Sequence, residues 1–300
     1  MNSNHQETNF KPVISLCICT MNRPEELNNC LHSVFEGVDL PEEIIVSDDS
    51  INPSFTEAIV ANYPKVDYQR GPQTGLGANR NACIQRAKGN YLIFIDDDVV
   101  VSADFFHVAR QLINTCQPQT LITGYELNHG GGGRWRGEIR KVVPHNTDFW
   151  GLQRVSVTQD YCAIVINATI FPRSLFNQAL FDENLRYGCD EIDIAQHSKS
   201  LGYQIVYQDN LYVEHHPSPI NRDQYQPFIH ASRLYTTTKA YWLYERSWLK
   251  TIAYIFLAPL QLMGSAIKQK DFLGVWGAIQ ATILASRYFL NQPNSTKLSN

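Results

Sequence analysis

Three consecutive aspartates, Asp96, Asp97 and Asp98, directly follow the apolar run Tyr91–Ile95. Carboxylates are hard oxygen ligands of the kind that Mg²⁺ and Mn²⁺ use when they carry substrate phosphates. The apolar run predicts a buried strand of a parallel sheet, and open α/β sheets bind ligands outside the carboxyl ends of their strands. The sequence therefore predicts a metal and diphosphate site here. The structural alternative is an acidic turn in which Asp98 or Ser102 begins the next helix.

Further charged residues lie at two predicted helix starts. Arg80 falls in the first turn of a helix predicted from about Ala78 to Lys88, where the positive end of the helix dipole and free N–H groups add to its charge. Asp190, Glu191 and Asp193 begin another predicted helix. Acids are favoured at a helix N-terminus for structural reasons alone. Their chemical role therefore depends on the rest of the chain.

The elements that would position these residues alternate between strand and helix over the first 115 residues or so. Strands are predicted at Val13–Cys19, Glu43–Ser47, Val66–Tyr68 and Tyr91–Ile95. Helices are predicted from Pro24, Thr56 and Ala78. This alternation predicts an α/β fold with a doubly wound, parallel sheet.

The second part of the chain differs in character. It is predicted to add strands at Tyr161–Ile166 and Gln204–Tyr207 and a short helix at Ser174–Gln178. Before them, Gly130–Gly133 is followed by Arg134–Arg136, which combines backbone freedom with an aromatic and basic tip. This composition suits a mobile lid, and a surface loop is the structural alternative.

From about Ile229 the chain is predicted to be helical. Apolar runs at Thr251–Ile267 and Phe272–Ser286 both fall short of the ~20 residues that a spanning helix needs. Tryptophans and basic residues lie in or near these runs: Trp242, Trp248, Trp276, Arg246, Lys250, Lys268 and Lys270. This composition suits helices at a bilayer surface. Packing on the core or on a second subunit is the alternative.

Composition limits the compartment and the partners. The 300 residues, 44% hydrophobic and 18% charged, are typical of a globular protein that can bury a sizeable core. A net charge of -4 gives no general attraction to nucleic acid. The seven cysteines lack paired metal-ligand spacing, which predicts buried thiols. Because Met1–Lys11 lacks the pattern of a signal peptide, a cytoplasmic location is expected.

Four motifs together resemble a known family. They are Thr20–Pro24 after the first strand, Asp48–Ser50 after the second, Ala78–Ala82 at a helix start, and Ile95–Asp98. In this order the chain resembles the family 2 glycosyltransferases with the GT-A fold, over about residues 12 to 220. The resemblance implies a mixed, doubly wound sheet. It also divides the chain into a GT-A domain over 1–228 and a helical extension over 229–300. Within the GT-A domain, residues 12–115 would form the nucleotide-sugar-binding half and residues 116–228 the acceptor and catalytic-base half.

The activity implied is metal-dependent, inverting transfer of a sugar from a UDP-, dTDP- or GDP-sugar to a hydroxyl of a glycan or lipid-linked acceptor. Cell-surface polysaccharide or glycolipid synthesis, at the inner face of the cell membrane, would be its setting. The residues implied to bind the nucleotide sugar are Thr20, Asn22, Arg23, Asp48, Asp49, Arg80, Asp96 and Asp97. Among them, Asp48 or Asp49 would accept a hydrogen bond from the base edge. Arg80 would face the diphosphate, and Asp97 would turn away to support its loop.

The same resemblance assigns the metal and the base. Asp98, the second acid of an Asp-x-Asp element, would hold Mn²⁺ or Mg²⁺, which stabilises the negative charge of the leaving diphosphate. His215 would be a further ligand and is a better match than His216. The run at 188–194 resembles the family's Glu-Asp-x-Asp signature with its first two acids exchanged. Glu191 inherits the role of general base by position, and Asp190 is the alternative.

Two other functions fit parts of this pattern. A sugar-nucleotidyltransferase shares the sheet and the acidic site but is expected to carry a glycine-rich, basic loop after the first strand, and Thr20–Pro24 contains no glycine. A non-catalytic scaffold that binds nucleotide sugars would keep Asp48, Arg80 and Asp98 and would lack the base. A test of donor hydrolysis or transfer separates the scaffold from the enzyme.

Overall fold

The computed structural model describes residues 12–130, 138–217 and 225–291, and its first half follows the predicted alternation. The strands are β1 (Ile14–Thr20), β2 (Glu43–Asp48), β3 (Val66–Arg70), β4 (Tyr91–Asp96) and β5 (Val99–Val101). The helices are α1 (Pro24–Phe35), α2 (Ser54–Val60), α3 (Leu76–Arg86) and α4 (Phe105–Thr115). The tip of the predicted lid, Arg134–Arg136, and the N-terminal Met1–Lys11 lie outside the described residues.

The second half completes one large mixed sheet. Its strands are β6 (Thr120–Asn128), β7 (Arg140–Val142), β8 (Asn146–Thr147), β9 (Gln153–Arg154), β10 (Thr169–Pro172) and β11 (Gln204–His215), and its helix is α5 (Asp190–Ser200). The order in the large sheet is β3-β2-β1-β4-β10-β6-β11-β5, with β7 on β6 and with β8 and β9 paired separately. Strands β1 to β4 are parallel, as predicted, whereas β10 runs antiparallel to both of its neighbours.

The register of the parallel strands brings the predicted motifs to one edge. Thr20 at the end of β1 pairs with Asp48 at the end of β2, and Cys19 pairs with Asp96 at the end of β4. All seven residues of β1 are buried because helices cover both faces of the sheet. Cys17 and Cys19 share one face and are free thiols in the core, which confirms that part of the prediction.

Two predicted elements differ in the structure. The run Tyr161–Ile166 is not a strand, although Ala163 to Ile166 are buried; the strand there is β10, which follows a short 3-10 turn at Ile166–Ala168. A short apolar run indicates burial, but it does not distinguish a strand from a buried irregular segment. The aspartates do not begin a helix either, because Val99–Val101 forms β5 and pairs antiparallel with the end of β11.

The C-terminal helices are α6 (Gln226–Lys239), α7 (Trp248–Lys268) and α8 (Phe272–Leu290), with a π-helical turn at Ala240–Tyr244. They share an apolar core of their own, which includes Tyr235 and Tyr254. Within the described residues, α7 is the one helix whose length and hydropathy would suffice to cross a membrane. This corrects the expectation that both apolar runs are too short, since α7 extends the run at both ends to 21 residues.

Candidate active site

The loops after β1 and β4 are joined through Asp97. Thr20 Oγ1 donates a hydrogen bond to Asp97 Oδ2 over 2.8 Å, and the Arg23 guanidinium lies 3.0 Å from both Asp97 Oδ1 and Asp98 Oδ2. Burial raises the pKa of Asp97 to about 7, against the opposing effects of Arg23 and Thr20. Both oxygens of Asp97 thus hold the β1 loop against the β4 turn, the supporting arrangement expected from the sequence.

Asp98 and His215 come together because β5 pairs with the end of β11. Asp98 Oδ1 lies 3.1 Å from His215 Nε2, and His215 Nδ1 lies 2.7 Å from Glu126 Oε1. Burial alone would lower the pKa of His215, but hydrogen bonds to Asp98 and Glu126 outweigh burial and raise it to about 10. A carboxylate oxygen beside an imidazole nitrogen is a donor pair that fits Mn²⁺. The pair suits the predicted ion once Nε2 of His215 has lost its proton, since an imidazole must be deprotonated at the ligating nitrogen.

Sequence reasoning missed two residues that orient this group. Glu126 lies in β6 and contacts His215, and Asn167 donates a hydrogen bond from Nδ2 to Glu126 Oε2 over 3.1 Å. Asn167 Oδ1 also accepts from the backbone N–H of Asp96 over 3.0 Å. The polar and apolar alternation of Tyr125–Asn128 was a signal for Glu126, whereas nothing local distinguished Asn167.

Arg80 connects the two halves of the site. Its guanidinium is buried and contacts Asp190 Oδ2 directly and Asp96 Oδ1 at 3.1 Å. Burial by itself lowers the pKa of Arg80, but the charges of Asp190 and Asp96 outweigh burial and raise it further above its usual value. The ring of Phe181 lies 5.3 Å from the guanidinium carbon. Arg80 thus couples Asp96, the last residue of β4, to Asp190, the first residue of α5.

Glu191 lies beside this pair at the start of α5. A cavity of about 440 Å³ is lined by Glu191, Asp190, Arg80, Asp96 and other residues of both halves. Burial of the Glu191 carboxyl, together with the negative charge of Asp190, raises its pKa to about 8. A carboxylate with a pKa near neutrality is suited to removing a proton from a hydroxyl.

The third acid of α5 has a structural partner. Lys239 of α6 lies 2.9 Å from Asp193 Oδ2 and 2.7 Å from Asp182 Oδ2, and all three groups are largely buried. Tyr235 also donates to Asp182 over 2.6 Å. Because a buried charge is costly without its partner, this cluster anchors the helix that carries Glu191 to the C-terminal helices.

The acids after β2 have unequal surroundings. Asp48 is fully buried, and its oxygens accept hydrogen bonds from the Tyr68 hydroxyl, the Arg70 guanidinium and the Ser50 N–H. Asp49 Oδ1 accepts from the Gln73 N–H over 2.9 Å, and burial raises the pKa of Asp49.

Asn22 ties the first loop to the second. Its N–H donates to Ser50 Oγ over 2.7 Å, and its Oδ1 accepts from the Ile51 N–H over 3.2 Å. The φ of Asn22 is 57°, in the left-handed region that asparagine tolerates better than most residues. The chain therefore turns sharply between β1 and α1, which sets Arg23 beside the aspartates.

Two curated proteins resemble part of this chain in sequence. The chain is 31% identical over 142 residues to the succinoglycan biosynthesis protein ExoM of Rhizobium meliloti (strain 1021), which covers 44% of this chain and 45% of ExoM. It is 29% identical over 125 residues to TuaG of Bacillus subtilis (strain 168), a putative teichuronic acid biosynthesis glycosyltransferase, covering 40% of this chain and 49% of TuaG. The matched regions thus span about half the length of these curated relatives.

Solved structures share the fold at low sequence identity. GalNAc-T7 with UDP, GalNAc and Mn²⁺ aligns at a TM-score of 0.62 and 17% identity, covering 94% of this chain and 55% of that one. The mannosyltransferase PcManGT of Pyrobaculum calidifontis, in complex with GDP-Man and Mn²⁺, aligns at 0.56 and 12% identity, covering 95% and 89%. The fold is therefore that of the GT-A glycosyltransferases. The model of Glycosyl transferase family 2 matches residues 15–184, which are more than half of this chain. The chain therefore belongs to that family.

Proposed function

We propose that this protein is a metal-dependent, inverting glycosyltransferase that uses a nucleotide sugar. The observation that carries the proposal is the shared cavity, in which Asp96 and Arg80 of the donor half line the same space as Asp190 and Glu191 of the acceptor half. A donor and an acceptor held on either side of this cavity would lie next to each other without a conformational change of the protein. Inversion follows from a single displacement in which the acceptor hydroxyl attacks opposite the leaving group.

The donor would lie along the carboxyl ends of β1, β2 and β4. Asp49 is a better candidate than Asp48 for the base edge, because all of the Asp48 contacts described above keep its carboxylate in the core. Asp98 and His215 would hold Mn²⁺ or Mg²⁺, which when bound supplies positive charge to the departing diphosphate. The structural neighbours' UDP and GDP-Man support a UDP- or GDP-sugar, and a dTDP-sugar is included in the proposal.

Glu191 is the general base in this proposal, rather than Asp190. Asp190 is already engaged in an ion pair with the buried guanidinium of Arg80, so its carboxylate is less available to an acceptor hydroxyl. Glu191 would take the proton of the acceptor hydroxyl. The hydroxyl oxygen would then bond to the anomeric carbon, and the bond from that carbon to the diphosphate oxygen would break. The products are a glycoside and a nucleoside diphosphate.

A nucleotide-binding experiment tests this function. Thermal unfolding of the full chain would be followed with UDP, GDP, dTDP and CDP, each with and without Mn²⁺ or Mg²⁺. A ligand that binds the folded state raises the unfolding temperature, so we expect one nucleotide to do so only when metal is present. Transfer or hydrolysis of the corresponding nucleotide sugar would then separate an enzyme from a scaffold. No stabilisation under any metal condition would contradict the donor site.

The acceptor is proposed to be a growing cell-surface polysaccharide or its lipid-linked precursor. The names of two relatives refer to succinoglycan and teichuronic acid biosynthesis, which supports a glycan acceptor. The cavity of about 440 Å³ that Glu191 lines has room for a sugar hydroxyl beside Asp96. Such acceptors are available at the inner face of the cell membrane, which is the location we propose.

Exposed apolar side chains on α7 and α8 support peripheral contact with that membrane. Trp248, Phe256 and Trp276 are well exposed, and Phe272 and Leu273 are exposed by 87% and 85%. Basic residues lie close by in the sequence: Lys250, Lys268 and Lys270. Aromatic and basic residues around an apolar face are typical of helices that lie in an anionic bilayer surface.

The packing of α7 favours a helix that lies on the bilayer rather than one that crosses it. Tyr254, Ala258 and Leu262 are buried against the other C-terminal helices, and the Tyr254 hydroxyl donates to the Trp150 carbonyl over 3.3 Å. A spanning α7 would have to leave this core. The exposed side of the same helix can enter a lipid surface with the core intact.

Vesicle binding tests the membrane contact. The double variant Phe272→Asp/Leu273→Asp should bind vesicles of phosphatidylglycerol and phosphatidylcholine about 100-fold more weakly than the unmodified chain, because two large apolar side chains no longer enter the bilayer. Val155→Asp/Val157→Asp is the matched control, since these valines are also exposed but lie outside the C-terminal helices. Co-sedimentation measures both. Equal binding by the two double variants and the unmodified chain would contradict the proposal.

A further inference from the structure

Two consecutive histidines at the end of β11 face opposite sides of the sheet. Strands β6 and β11 are parallel, with Glu214 beside Leu127 and His215 beside Asn128. Successive side chains of a strand point to opposite faces. His215 therefore points toward Asp98 and Glu126 of the candidate active site, while Glu214 and His216 point the other way.

His129 joins them from the neighbouring strand. It directly follows β6, and its backbone N–H donates to the His215 carbonyl over 2.9 Å, which continues the pairing of the two strands. Because paired residues of parallel strands share a face, His129 lies on the face of Glu214 and His216. Its Nε2 lies 2.9 Å from Glu214 Oε2, and His216 Nε2 lies 3.7 Å from the same oxygen.

We propose that His129, Glu214 and His216 form a second metal site, which binds a transition-metal ion of the Zn²⁺ class. One ligand atom from each residue lies within 4.8 Å of the others. Zn²⁺ binds imidazole nitrogen and carboxylate oxygen at ~2.0–2.2 Å, so tetrahedral ligand atoms lie roughly 3.3 Å apart. The distances of 2.9 and 3.7 Å from Glu214 Oε2 lie on either side of that value.

The donor set distinguishes this site from the one at Asp98. Two imidazoles and one carboxylate favour Zn²⁺ and related ions over Mg²⁺, which prefers oxygen ligands. The imidazole rings of His129 and His216 are stacked with centroids 4.2 Å apart and planes 20° apart, so both rings reach the carboxylate from one side. Their side chains are exposed by 26% and 48%, and that of Glu214 by 40%. An ion can therefore enter from solvent, and the remaining coordination position is available to water.

Occupancy of this site would stabilise the adjoining strand ends. The ligands come from the two strands that end side by side, so one ion would hold both together. His216 also donates its backbone N–H to the Asp98 carbonyl over 2.9 Å. A metal ion on this face would therefore restrain the chain on both sides of His215. It would thereby hold His215 in position beside Asp98 in the candidate active site.

Zinc stoichiometry tests the proposal. The full chain, freed of metal by a chelator, would be titrated with Zn²⁺ and the bound equivalents counted with a chromogenic zinc indicator. We expect His129→Ala/His216→Ala to lose one equivalent relative to the unmodified chain. His32→Ala is the matched control and should retain every equivalent, because His32 of α1 pairs with Glu36 at 3.2 Å, away from this site. Asp98→Asn should retain the equivalent that the double histidine variant loses, which separates this site from the proposed donor metal.

The conservative variant Glu214→Gln guards against a folding defect. Glutamine keeps the size of the side chain but removes the charge that an ion needs, so the affinity for Zn²⁺ should fall about 10-fold or more. Circular dichroism and thermal unfolding without metal would verify that each variant folds. If the double histidine variant binds as many equivalents as the unmodified chain, or Glu214→Gln binds Zn²⁺ with unchanged affinity, the site is overturned.

Discussion

Glu191→Gln should lower kcat about 10³-fold while leaving nucleotide-sugar binding intact, because general-base catalysis typically contributes ~10²- to 10⁴-fold. Glutamine keeps the shape of the side chain at the start of α5 but cannot accept the acceptor proton. Steady-state transfer kinetics would measure kcat, and a thermal shift with the donor nucleotide and Mn²⁺ would measure binding. Full activity in this variant would remove Glu191 from the reaction.

The pH dependence of kcat/KM tests the role of Glu191 independently. A base works in its deprotonated form, so kcat/KM of the unmodified chain should rise with pH and level off above about 8, where Glu191 has lost its proton. The residual activity of Glu191→Gln should lack this rise. A rise that persists in the variant would assign the titration to another group.

Asp190→Asn is the control that separates the two acids. It removes the negative charge that raises the pKa of Glu191 and leaves the positive charge of Arg80 beside it, and both changes favour the ionised form of Glu191. The rising limb of the pH profile should therefore move toward lower pH. If Asp190 were itself the base, this variant would instead lose transfer as completely as Glu191→Gln.

Asp98→Asn should remove metal-dependent nucleotide binding and lower transfer by about 10³-fold or more, since an uncompensated diphosphate leaving group departs slowly. Asparagine can still accept the hydrogen bond from Arg23, so the loop after β4 should keep its conformation. Thermal shifts with the nucleotide, measured across a range of Mn²⁺ concentrations, report the loss directly. Transfer assays at saturating Mn²⁺ measure the fall in the rate of sugar transfer.

A matched control for this variant lies on β3. Asp67 also pairs with an arginine, at 2.6 Å from Arg86, but its side chain is 36% exposed, whereas that of Asp98 is 7% exposed and lies beside His215. Asp67→Asn should therefore keep both metal-dependent binding and transfer. Equal Mn²⁺ dependence in Asp98→Asn and the unmodified chain would show that the ion is held elsewhere.

The elements around the donor were largely predictable because their signals are local. Buried strands such as β1 and β4 appear as short apolar runs, and motifs that follow parallel strands must meet at one edge of the sheet. The acceptor half was less predictable. Strand β6 was not predicted, and Gln204–Tyr207 is the first part of the longer β11, whose register shifts between Tyr207 and Tyr212. Which residues are buried in that half depends more on contacts with residues distant in the sequence than on the alternation of polar and apolar residues along each strand.

The sequence by itself determined the family resemblance, the order of the motifs and the set of candidate carboxylates. Only the tertiary structure decided which of these groups are already engaged. Asp48 is held by Tyr68 and Arg70, and Asp190 is held by Arg80, 110 positions away in the chain. The family resemblance already favoured His215 over His216, and the pairing of β11 with β5 is what brings the His215 side chain to Asp98. Local periodicity carries no information on such long-range pairs, and it is these pairs that set the charge and the orientation of each group.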